Sequence, residues 1–231
     1  MLVLVMDVSG SMSTSEYQLM VKGYSEAFRD ADVRNGIYNG AGTYDSIAVG
    51  LVFFDEGQAT AGWWEINDAA SAEALADYFW DDATDTYLSR PLVPGGTTGV
   101  GDAIDVAYGL GLSGSEEYEA TRYVMDVSGD GAANTGGSTA TARDNALQLF
   151  DVINGVTIGG EFGLEQWYVN NVIGGDGAFH VHADSFQDFG DTIKDKLARE
   201  IAVTPEPGTL LLFGSAAGLL GFWRRRRTRQ A

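Results

Sequence analysis

Oxygen-bearing side chains recur at every second position in the opening run MDVSGSMS, the first three being Asp7, Ser9 and Ser11. In a D-x-S-x-S turn these alternate side chains can converge from one tight loop, and Gly10 permits the turn. All are hard oxygen donors, which favours magnesium, calcium or manganese over metals that prefer thiolate or imidazole. Hydroxyls are neutral ligands, so a site built largely from them leaves a divalent cation incompletely neutralised and open to a carboxylate from outside. The same pattern alone is also that of a plain Asp-Ser-Gly turn.

Other chemistries have less support in the chain. There is no cysteine, which excludes disulfides, thiolate zinc sites and cysteine nucleophiles. A phosphatase with its nucleophilic Asp at the end of the first strand needs a second carboxylate two residues on as general acid, and that position is Ser9. No G-x-S-x-G elbow or phosphate loop occurs. The only two histidines, His180 and His182, are two apart; on a strand they share one face and could chelate a soft metal, but no third ligand is evident. Trp63 and Trp64 fit packing better than a carbohydrate platform, and Asp81, Asp82 and Asp85 lack the pattern of a calcium loop.

Elements able to position the turn follow from hydrophobic periodicity. Strands are expected over Leu2 to Met6, Ser46 to Phe54, Ala61 to Ile66 as an antiparallel edge, Arg122 to Val127, Gly155 to Ile158 and Phe179 to His182. Helices are expected over Ser15 to Arg29, Ala70 to Trp80, Val100 to Leu110, Thr139 to Ile153 and Asp184 to Ile201. The alternation implies an α/β fold, doubly wound, with a mainly parallel sheet and helices on both faces. The hexapeptide VMDVSG occurs at Val5 to Gly10 and again at Val124 to Gly129, suggesting two Asp/Ser turns side by side at the switch point of the sheet.

Strand, DVSGSMS, a TTG loop and a later Asp-Gly turn together resemble a von Willebrand factor type A (VWA) domain with its metal-ion-dependent adhesion site, the MIDAS. The resemblance runs over roughly residues 1–201. It implies that Asp7, Ser9 and Ser11 are joined by a Thr from GGTTG, either Thr97 or Thr98 with the family spacing favouring Thr98. It also implies a third-loop Asp, either Asp130 or its rival Asp126. The implied cofactor is a divalent cation, Mg2+ first with Ca2+ or Mn2+ as alternatives, and the implied partner is a protein offering an Asp or Glu side chain. DVSGDG, Asn171 to Gly175 and the closing Lys196 to Ile201 resemble a VWA-related bacterial family of unknown function.

Residues 1–203 carry 9 basic and 32 acidic side chains, a net of −23. Such a surface repels nucleic acid, so a polyanionic partner is not expected. The C-terminus changes character. After Pro205-Glu206-Pro207 come sixteen uncharged residues, Gly208 to Trp223, then Arg224, Arg225, Arg226 and Arg227. As a helix this run is about 24 Å long, enough to cross a thin bilayer. The arginines would then stay cytoplasmic and the domain at 1–203 would face outward.

Its three parts resemble the PEP-CTERM sorting signal of Gram-negative bacteria. That resemblance implies an exosortase substrate held transiently in the inner membrane and then sent to the cell surface or extracellular matrix. Export needs an N-terminal signal, yet only six residues precede Asp7; a start upstream of this sequence is expected. The expected function is a metal-dependent protein-binding or adhesion module without enzymatic activity. The alternatives are a structural matrix protein and, behind it, a metal-dependent phosphoester hydrolase.

Overall fold

The computed structural model describes residues 1–38, 45–92 and 95–201. The helix expected at 208–223, the Pro205 to Pro207 break and the arginine cluster lie outside them. Among the described residues no helix is long and apolar enough to cross a membrane.

The chain runs β1 Leu2–Asp7, α1 Thr14–Arg29, α2 Ala31–Tyr38, β2 Ile47–Phe54, β3 Gln58–Ile66, α3 Ala69–Phe79, β4 Trp80–Asp81 and β5 Thr86–Tyr87. It continues α4 Val100–Glu117, β6 Val124–Gly129, α5 Thr139–Ala146, β7 Val152–Ile158, α6 Leu164–Asn171, β8 Gly174–Gly175, β9 His180–Ala183 and α7 Phe186–Ile201. The main sheet has the order β3-β2-β1-β6-β7-β8, with β9 also pairing with β7. β1 is central and parallel to both β2 and β6, and the helix after β1, α1, packs on one face of the sheet while the helix after β6, α5, packs on the other. That divergence is where a doubly wound sheet opens a crevice.

β1, β2, β6 and β7 are buried along their whole length, as strands covered on both faces must be. One apolar layer joins Leu4, Met6, Tyr24, Phe28, Phe79, Phe189 and Ile193, placing α1, α2, α3 and α7 on one face. The other joins Val3, Val5, Ile104, Met125, Val127, Phe150 and Tyr168, placing α4, α5 and α6 on the second. Gly23, unfavourable in mid-helix, has a packing reason: a Cβ there would meet Phe189 Cδ1 at 2.9 Å and the Gly190 Cα at 3.1 Å. It lets α1 and α7 approach backbone to backbone.

Several boundaries differ from the sequence expectation. The helix expected to reach Ile153 ends at Ala146, because the chain turns through Gln148 and Leu149. Asp151 then accepts the Tyr123 amide at 2.8 Å, pulling Val152 and Ile153 into β7. The apolar Leu147, Leu149 and Phe150 imitate a helical face there. α4 runs past Leu110 to Glu117, while α2, α6 and the β4-β5 hairpin were not expected. The sheet carries a second antiparallel pairing besides β3, the two-residue β8 against β7. Gly175, at φ 93°, makes it possible, since a Cβ there would lie 2.1 Å from the Asp151 carbonyl oxygen.

The repeated hexapeptide does not form twin turns. Val5 pairs with Val127 and Leu4 with Asp126, so the second copy is strand β6 itself, displaced by three positions. An odd displacement reverses the face on which each side chain emerges. Trp63 packs over Gly50 and Gly114 beside Tyr118, and Trp64 packs against Tyr78. Asp81 accepts the Ala83 amide in a tight turn, with Asp85 at φ 51°. At the pole where β1 begins, Met1, Leu2, Glu200 and Ile201 line a cavity of about 620 Å3 together with Glu65, Tyr118 and Arg122. Asp7 closes β1 at the other pole.

Candidate metal centre

The turn after β1 is fixed by its own atoms. The Ser9 amide donates to Asp7 Oδ1 at 2.8 Å, Val8 N–H donates to the Phe54 carbonyl, and Gly10 N–H to the Gly95 carbonyl. Helix α1 follows at once, closed by a capping box: the Glu16 amide donates to Ser13 Oγ, and the Ser13 amide to Glu16 Oε2 at 2.7 Å. A firm helix start two residues after Ser11 anchors the loop from its far side.

Within this loop Ser9 Oγ and Ser11 Oγ lie 2.9 Å apart. Ser11 Oγ donates to Asp130 Oδ1 at 2.7 Å, and Thr98 Oγ1 lies 3.5 Å from Ser9 Oγ. The five side chains singled out in the sequence, Asp7, Ser9, Ser11, Thr98 and Asp130, thus meet at one end of the sheet. They come from the loops after β1 and β6 and from the segment before α4. Thr97 points elsewhere, its hydroxyl 3.3 Å from Glu56 Oε2. Asp126 is also remote from the cluster. It sits in mid-strand, 2.6 Å from Lys196 Nζ of α7, on the face that the three-residue displacement assigns to it.

The metal-free cluster is electrostatically unfavourable. Asp7 is fully buried, and its Oδ2 has no hydrogen-bond partner. Burial first, then the facing Asp130, push the Asp7 carboxyl up to about 7. Burial likewise raises Asp130, opposed by the Ser11 hydroxyl and reinforced by Glu16 and Glu161. A buried carboxylate oxygen with no donor, beside three hydroxyls and a second carboxylate, matches the donor set of a hard divalent cation.

Four residues that organise the cluster were not identified in the sequence. Arg90 donates to the carbonyls of Val8, Ser9, Met12 and Ser13 at 3.4, 3.3, 3.1 and 3.1 Å, while its guanidinium stacks on Tyr17. Asp55, at the end of β2, accepts the Gly57 and Gly95 amides on its two oxygens, and its carbonyl accepts the Gly99 amide. Asn134 accepts the Thr98 amide at 2.8 Å and returns its own amide to the Thr98 carbonyl. Glu161 approaches Gly131 at the rim. Asp55, in FFDEG after a buried strand, had a readable signal as an Asp at a strand end. Arg90 had none, because its acceptors are main-chain carbonyls about 80 residues away.

His180 and His182 do share a face, and both rings engage the Thr157 hydroxyl, at 2.8 and 2.9 Å. Among the described residues no three His, Cys, Asp or Glu side chains group to hold a metal. The candidate centre has only two carboxylates and relies on hydroxyls for the rest.

Against this geometry, the comparisons with known proteins are specific at the level of family and fold. Residues 1–205 match the model described as "Protein of unknown function (DUF1194)", and residues 203–227 match the PEP-CTERM protein-sorting motif. The comparison with curated proteins gives no match. Among solved structures, the chain is similar to proximal thread matrix protein 1 from the mussel byssus in a form with a zinc-occupied MIDAS motif. The TM-score is 0.59 at 16% identity, over 85% of this chain and 46% of that one. It is similar to BatB from Bacteroides thetaiotaomicron, with TM-score 0.53 and 16% identity over 88% and 98% of the two chains. It is also similar to manganese-loaded TRAP from Plasmodium vivax, with TM-score 0.50 and 15% identity over 87% and 72%. The chain spans less than half the length of the mussel protein it matches. At these identities the likeness shows the fold alone, that of a VWA domain. The chain belongs to the DUF1194 family of proteins of unknown function, folds as a VWA domain and carries a PEP-CTERM sorting motif behind it.

Proposed function

We propose that the protein is an exported, metal-dependent protein-binding module. Its divalent cation, Mg2+ in the first instance, is held by Asp7, Ser9, Ser11, Thr98 and Asp130. The observation that carries this reading is the convergence of three hydroxyls and Asp130 on one another within hydrogen-bonding distance, above a buried Asp7 oxygen that has no donor.

Asp7 is held by the Ser9 amide, Ser9 and Ser11 present their hydroxyls from a loop pinned by Arg90, and Thr98 is held in place by Asn134. When bound, the cation supplies an incompletely neutralised coordination position for a partner's Asp or Glu carboxylate. In this reading the acidic surface does not prevent capture of an acidic group, since charges beyond about 8 Å are largely screened at physiological salt. Zinc in the MIDAS of the mussel protein and manganese in TRAP support a divalent cation here without selecting one.

The PEP-CTERM match supports the second half of the reading. Pro205, Glu206 and Pro207, the segment 208–223 and Arg224 to Arg227 would act as a transient inner-membrane anchor. Exosortase processing would then release the domain to the cell surface or medium.

Calorimetric titration with MgCl2 tests the site. Saturable binding by the wild type is expected, with loss of binding in Asp7→Ala and Ser9→Ala at retained circular dichroism. Unchanged titration in both variants would refute the assignment. Capture of partners from culture supernatant with and without EDTA tests the function, and association insensitive to EDTA would favour a structural matrix role.

A further inference from the structure

Tyr168 of α6 is fully buried, and its hydroxyl has no hydrogen-bond partner. A buried unpaired hydroxyl costs about 1–3 kcal/mol, and phenylalanine would fill the same space without that cost. The ring has a prepared berth. A Cβ on Gly155 of β7 would meet Tyr168 Cδ1 at 3.1 Å, and a Cβ on Gly129 of β6 would meet the Tyr168 hydroxyl at 2.6 Å. Two neighbouring strands thus clear one face of the sheet for this side chain. Its main chain is fixed as well, the Tyr168 carbonyl accepting both the Val172 and Ile173 amides.

The berth leads to the candidate metal centre. The same absent Cβ of Gly129 would lie 2.9 Å from Asp7 Oδ2, which is likewise a buried polar atom without a partner. One atom can donate, the other can accept, and both border the space that a side chain at Gly129 would fill. A carboxylate oxygen has two lone pairs, so Asp7 Oδ2 can accept the phenol and still face a cation.

We infer that Tyr168 is a positioning residue for the metal centre: once a cation is bound, its hydroxyl, unpaired in the metal-free fold, donates to Asp7 Oδ2 and holds the carboxylate in the orientation that the cation requires. The inference rests on the proposed metal site. Partners that orient a ligand from behind are worth about 10- to 100-fold in metal affinity.

The test compares wild type, Tyr168→Phe and Asp7→Ala by calorimetric titration with MgCl2 and by thermal unfolding in EDTA. The expected result is affinity weakened about 10- to 100-fold in Tyr168→Phe, with a metal-free melting temperature equal to or above wild type, because an unpaired hydroxyl has been removed. Wild-type affinity in Tyr168→Phe, with binding lost in Asp7→Ala, overturns this inference and leaves the site standing. Weaker binding accompanied by a lower metal-free melting temperature assigns Tyr168 to packing and also overturns it. A wild type that binds no magnesium, or binds it as Asp7→Ala does, removes the site and the inference together.

Discussion

Replacing Lys196 by methionine should strongly destabilise the fold while sparing the candidate metal centre. Lys196 projects from α7 into the face of the sheet with its side chain fully buried, as are Asp126 and Glu200. Its ammonium lies 2.6 Å from Asp126 Oδ1 and also contacts Glu200 Oε1, which accepts the Asn154 amide group at 2.7 Å. One cation therefore serves two carboxylates, all three side chains fully buried. Burial outweighs that single charge and pushes both acids up, Glu200 to about 7. Removing one partner of such a group leaves uncompensated buried charge and costs about 3–5 kcal/mol. For a domain of this size that is a fall in melting temperature on the order of 10 °C. The assay is urea unfolding at pH 7 followed by circular dichroism, together with magnesium titration of the folded variant. Adding Asp126→Leu and Glu200→Gln to Lys196→Met should recover most of the loss, because no net charge then stays buried. A single variant within about 1 kcal/mol of wild type would refute the reasoning, given the cost expected for a broken buried pair. So would a triple variant no better than the single one.

Stability should also depend on pH through Glu200. Its carboxyl is raised from 4.5 to about 7 in the fold, first by burial and then by Asp126. The resulting stabilisation is fully present below pH 4.5 and lost as pH rises through 7. Urea midpoints measured across that window in EDTA should fall with pH for the wild type and fall less for Glu200→Gln. Gly23→Ala should lower the melting temperature although alanine is the better helix former, since its Cβ would press on Phe189 and on the Gly190 backbone. A gain of about 1 kcal/mol, the intrinsic helix preference, would show that α1 and α7 can separate freely. Phe162 is fully exposed next to Glu161 at the rim of the candidate centre. Phe162→Ala should therefore reduce EDTA-sensitive partner capture without changing magnesium affinity, and equal recovery of partners from both proteins would exclude this aromatic from the contact.

The convergence of Asp7, Ser9, Ser11 and Asp130 was legible because they sit at or just after the ends of apolar strands, and strand ends in a parallel sheet come together at one pole; Thr98 was found through the resemblance. The choice between Asp126 and Asp130 was not legible. Both belong to VMDVSGD, and only the three-residue displacement of β6 against β1 sends Asp126 to the opposite face. Helix α2 escaped notice because its eight residues, with Asn35 and Gly36 among them, carry few periodic apolar positions. The error at 147–153 had the opposite cause: apolar residues in a turn reproduced a helical spacing that tertiary pairing through Asp151 overrode. Arg90, Asn134 and Tyr168 act through main-chain groups or through the gaps left by glycines, and neither leaves a pattern in a linear sequence.

Helix α7 ends at Ile201, beside Met1 and Leu2, at the pole from which β1 departs; Asp7 lies at the pole to which it runs. The sorting motif begins within a few residues of Ile201. The hydroxyl cluster, Glu161 and Phe162 thus lie at the opposite pole of the sheet from Ile201, behind which that motif begins. The exosortase processing that the motif implies would act behind Ile201 and leave every residue of that opposite pole untouched.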